Sequence, residues 1–157
     1  MTVVEHRQSA AEAEGACSGV DAAANVAVGW ASLATGALTG LVLGLWSFAG
    51  PFPVPDWIGG YDDLSRRLLR LGHIAFFGLG ILNIMLARHL CRPRARVSGV
   101  QLALGAMIFG NVALPLTLMA AAIYEPLKYL MTLPALAVTL ALVMGARAAI
   151  GDAREPG

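Results

Sequence analysis

His73 is the only ionisable residue among the 17 that separate Arg70 from Arg88. An imidazole in such a stretch can hydrogen-bond a neighbouring helix, ligate iron or another metal, or hold a proton. A hydrogen bond to another helix is the leading reading. The second is axial haem or metal ligation. The third is a proton, quinone or substrate site in which Arg70, one turn away, assists. Haem ligation needs a second ligand. His89 lies at the other end of the same stretch and His6 near the N-terminus, so neither shares the depth of His73. Met119 and Met131 remain for His/Met ligation, or a second copy supplies another His73. The candidate cofactor set is therefore His73, Arg70, Met119 and Met131, with haem admitted but not expected. No clustered His/Cys set suits zinc or copper. Nor is there a Ser/His/Asp spacing, a His-Glu-x-x-His or a glycine loop before a lysine. No catalytic residue is assigned, and the reading leans away from an enzyme.

Two amides form the second candidate. Asn83 and Asn111 stand in apolar surroundings, and Pro115 follows Asn111 by four. A proline ring removes the hydrogen bond to the carbonyl four residues back. The backbone oxygen and the side chain of Asn111 are then both available for partners. Antiparallel helices would lean Asn83 and Asn111 toward each other, and the expected role is structural glue between spans.

The elements that position these residues follow from the charge distribution. Hydrophobic residues make up 57% of the 157-residue chain, charged residues only 13%, and the mean hydropathy is +0.68. Soluble domains carry about 25% charged residues. The net charge of +1 offers no field for nucleic acid. Asp, Glu, Lys and Arg are absent from 34 residues between Asp21 and Asp56, from 28 between Arg96 and Glu125, and from 18 between Lys128 and Arg147. A helix crosses the bilayer core in about 20 apolar residues. Four spans are expected, near 29–49, 69–89, 99–122 and 129–149. They make an all-α, polytopic four-helix transmembrane bundle over 26–150, between a mobile tail at 1–25 and a short one at 151–157.

Four arginines, Arg88, Arg92, Arg94 and Arg96, crowd the connection between spans two and three, with no acid. The positive-inside rule places that loop, and with it both termini, in the cytoplasm. A cell inner membrane is expected. Cys17 and Cys91 fall on that side and read as reduced thiols. The first 28 residues do not resemble a cleaved signal peptide.

Span one carries Ser32, Gly36, Gly40 and Gly44, each four apart. Such small-residue stripes let helix backbones approach closely. The partner is span two of the same chain by preference, or another subunit. At the outer face, a Pro/Gly-rich loop leads through Trp57 and Tyr61 to Asp62 and Asp63. These acids start span two and are set to pair with Arg66 and Arg67 at i,i+4. Glu125, at the end of span three, wants a cation, with Lys128 nearest. Trp57, Tyr61, Asp62, Asp63, Arg66, Glu125 and Lys128 form a polar-aromatic outer patch.

These features point first to an accessory or assembly subunit that packs against other membrane subunits or itself, through the stripe and the outer loop. In architecture alone it resembles small four-helix respiratory accessory proteins. A small haem- or quinone-interacting redox protein using His73 and Arg70 is the alternative, and a minimal oligomeric transporter the second alternative.

Overall fold

The computed structural model describes residues 19–47, 50–91 and 99–154. Four helices run through them: α1 (Gly19–Leu45), α2 (Leu64–Leu90), α3 (Val100–Ile123) and α4 (Thr132–Arg154). A short 3-10 turn, Asp56–Ile58, lies between α1 and α2, and a longer one, Glu125–Met131, between α3 and α4. The described residues contain no strand. The protein is an all-α four-helix bundle, and every helix is long and apolar enough to cross a membrane. One end, with both 3-10 turns, is the aromatic end. The other, where α2 stops after Arg88 and His89, is the arginine end.

Two boundaries differ from expectation. α1 already begins at Gly19, inside the stretch expected as a tail, and ends at Leu45. Ala22, Ala23 and Ala24 favour helix, and Asn25 is tied into the bundle. α4 runs on to Arg154, through most of the expected second tail. The rest of both expected tails, at 1–18 and 155–157, lies outside the described residues, as do Arg92, Arg94 and Arg96.

The bundle is built around α2. It packs on α1 and α3; α1 also runs along α3, and α4 packs on α3 and touches α2. Within their most apolar stretches, 44% of α2 is buried but only 17% of α1 and of α4. α1 turns a narrow seam inward: Asn25, Gly29, Ser32 and Gly36 are its buried residues. Their steps of four, three and four keep one face toward α2 and α3 in the manner of a left-handed supercoil.

This seam explains the fate of the glycine stripe. A Cβ on Gly36 would stand 3.2 Å from Phe76 Cβ and 3.0 Å from the Phe77 ring, and one on Gly40 would stand 2.4 Å from His73 Cε1. Gly44 has nothing within 4 Å. Steps of four overshoot a turn by about 40° each, so Gly44 lies about 120° round from Ser32 and leaves the contact face. The stripe is an internal contact with α2, and Ser32, Gly36 and Gly40 are not free to receive another subunit. α1 and α2 meet backbone to backbone at Gly29, whose added Cβ would lie 2.9 Å from the carbonyl oxygen of Gly80.

Pro115 is buried within α3 and does not end it. Leu79, Leu86, Leu90, Leu104 and Met107 centre the larger apolar cluster, toward the arginine end. Ile58, 1% exposed, plugs the aromatic end against Leu68, Leu69, Ala121 and Ala122.

Gly29→Leu should destabilise the protein by about 2 kcal/mol or more, the cost of overpacking against backbone. Gly44→Leu should stay within about 0.5 kcal/mol of wild type, as at an open surface site. Thermal unfolding of both variants in one detergent checks the contrast.

Candidate functional site

Two polar rungs cross the interior of α1, α2 and α3. In the first, Asn25 Nδ2 donates to Asn83 Oδ1 at 2.6 Å and to the carbonyl of Leu104 at 3.0 Å. In the second, Ser32 Oγ lies 2.8 Å from the carbonyl of Phe76 and 2.9 Å from Asn111 Oδ1. Asn25, Asn83 and Asn111 are 0% exposed and Ser32 is 6%. Asn25 to Ser32, Asn83 back to Phe76 and Leu104 to Asn111 are each a step of seven residues. Two turns, about 10 Å, therefore separate the rungs on all three helices.

The expected contact between Asn83 and Asn111 is not made. Antiparallel register sets Asn83 beside Leu104 and Phe76 beside Asn111, so the two amides stand two turns apart. Each finds its partner on α1 instead. Sequence reasoning places Asn25 in the tail and so misses it. Its signal is present: Asn25, Ser32 and Thr39 recur every seven residues.

His73 occupies a third level, nearer the aromatic end. Its Nδ1 lies 2.8 Å from the carbonyl oxygen of Gly36, which can only accept, so Nδ1 carries the hydrogen. Thr39 Oγ1 is 3.4 Å from the same nitrogen and bonds the carbonyls of Thr35 and Gly36. Phe77 meets the imidazole edge-on at 5.3 Å between centroids. Gly40 provides the space for the ring, as the 2.4 Å approach of Cε1 to an added Cβ requires. The imidazole thus faces the backbone of α1.

The proposed ligand set does not converge. Met119 packs toward Gly72, where an added Cβ would lie 2.8 Å from its Cγ. Gly72 and His73 are successive residues and point about 100° apart on a helix. Met119 and Met131 both line the apolar cluster of the aromatic end. Arg70 turns to Tyr61, whose carbonyl and ring it engages. The described residues hold no group of three or more His, Cys, Asp or Glu able to take a metal. His73 acts here as a tie between α2 and α1.

At the aromatic end the charges pair differently from the i,i+4 expectation. α2 starts only at Leu64, so Asp62 and Asp63 precede the cylinder on which that spacing applies. Asp63 Oδ2 accepts from the backbone of Gly60 at 2.6 Å, and Asp62 meets Arg67 at 3.7 Å. Arg66 donates instead to the carbonyl of Trp46 at 2.6 Å, just beyond the end of α1, where a cation is favoured. Arg70 donates to the carbonyl of Tyr61 at 3.3 Å. Both guanidiniums also lie over the Tyr61 ring, at 4.3 Å for Arg70 and 5.6 Å for Arg66. Glu125 takes Lys128 at 2.6 Å, an i,i+3 pair that the 3-10 turn brings into line. Trp57 is 52% exposed and Tyr61 56%.

At the arginine end, Cys91 is disulfide-bonded, contrary to the expected thiol. The chain's other cysteine, Cys17, lies outside the described residues.

Comparison of the chain with family models, with curated proteins and with solved structures found no match.

A double-mutant cycle separates the observed rungs from the expected contact. Asn25→Ala and Asn83→Ala should couple by about 0.6 kcal/mol, the usual value for interhelical hydrogen bonds in membranes. Asn83→Ala and Asn111→Ala should add within about 0.5 kcal/mol. Stability of the single and double variants measured in detergent gives both numbers.

Proposed function

We propose that this chain is an accessory or assembly subunit that packs against a larger complex in the cell inner membrane. The observation that carries the reading is the clamp on Tyr61. Arg66 and Arg70 hold an exposed tyrosine in place, in the same loop as exposed Trp57. Tyrosine, tryptophan and arginine are the residues most enriched at the energetic centres of protein interfaces. Preset side chains also lose less freedom on binding. The interior polar groups, in contrast, are engaged in joining α1, α2 and α3. Docking is accordingly assigned to the aromatic end, through Trp57, Tyr61, Arg66 and Arg70, and no longer to the stripe.

A photo-crosslinking residue at Trp57, in native membranes, should give one discrete adduct that Tyr61→Ala weakens at least fivefold. The same residue placed at lipid-facing Leu38 should give none. Absence of a Trp57 adduct, together with a reduced-minus-oxidised haem band that His73→Ala abolishes, would transfer the assignment to the redox class.

The membrane orientation belongs to the same proposal. The arginine end is set in the cytoplasm because short Arg-rich loops are retained there during insertion. The disulfide at Cys91 argues the other way, since disulfides persist in oxidising compartments. The arginines act on the chain as it inserts, before oxidation can, and support the cytoplasmic reading. A C-terminal green fluorescent protein fusion should fluoresce, and a C-terminal alkaline phosphatase fusion should be inactive. The reverse pair of results would invert the topology.

A further inference from the structure

A cavity of about 260 Å³ opens between α2 and α4 at the arginine end. The α2 wall is Leu82, Met85, Leu86 and His89. That i, i+3, i+4, i+7 spacing is one continuous helix face. Leu142, Gly145, Ala146 and Ala149 on α4 repeat the same spacing. α2 and α4 run in the same direction, so the two walls are parallel for seven residues, about 10 Å. Leu86 Cδ1 closes the floor, 2.6 Å from where a Cβ on Gly145 would stand. The small side chains of α4 keep the space above that floor empty. Met85 and Leu142 are exposed, so the groove opens sideways, to the surface that faces lipid.

The groove is apolar along its length and polar at one end. His89 lies there, one residue from the end of α2, and its Nε2 is buried with no hydrogen-bond partner among the described residues. Buried polar atoms in proteins are almost always paired. Arg88 and Arg147 are exposed at the same end, and neither forms an ion pair among the described residues. A hydrocarbon slot that starts at a polar atom, at the end of the bundle that carries exposed Arg88 and Arg147, suits an amphiphile with an anionic head. We propose that the groove binds one anionic phospholipid. An acyl chain lies between the α2 and α4 walls, an ester or phosphate oxygen pairs with His89, and Arg88 and Arg147 attract the phosphate. This site lies at the opposite end of the bundle from the Tyr61 clamp and does not depend on it.

Native mass spectrometry of the detergent-purified full chain, titrated separately with phosphatidylglycerol and phosphatidylcholine, tests the proposal. A one-to-one phosphatidylglycerol adduct is expected, at least fivefold more abundant than the phosphatidylcholine adduct. Ala146→Leu, which fills the groove, and the double variant Arg88→Gln with Arg147→Gln should each reduce it at least fivefold. Ala149→Leu gives the same reading if Ala146→Leu does not fold. Equal binding of the two lipids overturns the proposal. So does an adduct unchanged in a groove-filled variant that unfolds at the wild-type temperature. Displacement of the lipid by millimolar inorganic phosphate would reduce the site to an anion site without the groove, and a co-purifying quinone in its place would reject the phospholipid.

Discussion

In a hydrocarbon solvent the burial of leucine against leucine gives one helix little reason to prefer a particular position on another, because lipid tails are as apolar as the side chains they replace. Polar groups are different. Each must find a partner inside the protein, and few arrangements supply one. The arrangement of α1 on α2 and α3 rests on this asymmetry. Asn25 reaches Asn83 and the Leu104 carbonyl, and Ser32 reaches Asn111 and the Phe76 carbonyl. Sliding α1 by one turn would separate both rungs together. Since the rungs share one seven-residue offset on three helices, a single register satisfies them both. The close approach of Gly29 to Gly80 lies between the rungs and is available in that register alone.

α4 is held by other means. Its hydroxyl at Thr139 bonds its own helix, to Ala135. Its contacts with the rest are matters of shape: Gly110 beneath Val138, Gly99 beneath Met144, Gly145 beneath Leu86. Contacts of that kind are individually small and leave room for imperfect closure. The groove between α2 and α4 lies where the closure is incomplete. The aromatic end is fastened differently again, by Ile58 inserted as a plug and by Arg66 on the Trp46 carbonyl. One chain thus uses polar register for three helices, shape for the fourth and a side-chain latch for its loop.

Runs without charge made the four helices legible, since length and apolarity alone distinguish a membrane span. The small-residue stripe was legible as a close helix contact, and its partner as α2. Three things were hidden. Asn25 went unread because a polar residue next to an alanine-rich segment resembles a tail, and its seven-residue relation to Ser32 matters only once α1 is known to extend that far. The Asn83 and Asn111 partners depended on an antiparallel register that side-chain lean cannot supply. The charge pairs at Asp62 and Asp63 depended on the first residue of α2, and a start at Leu64 removed both acids from the helical surface. Each error is one of register or boundary, to which periodicity is least sensitive. His73 fared better: its leading reading, a hydrogen bond to a neighbouring helix, matches its contact with the Gly36 carbonyl.

The rungs also bear on whether α1, α2 and α3 enclose a path. Asn25 Oδ1, Asn83 Nδ2 and Asn111 Nδ2 are buried without partners among the described residues, so both levels hold hydrogen-bonding capacity beyond what their own contacts use. A conducting seam would have to link one level to the next across about 10 Å. Midway stand Gly29 and Gly80, where a Cβ added to either would lie 2.9 Å from the other's carbonyl oxygen. Backbones that close leave no passage for water or an ion between α1 and α2 at that level. Along the α1–α2 seam the two levels are therefore separated by closed backbone. Moving Gly29 from Gly80 would break both rungs at once. The same coupling that fixes the register of α1 ties any displacement of that helix to the loss of both rungs.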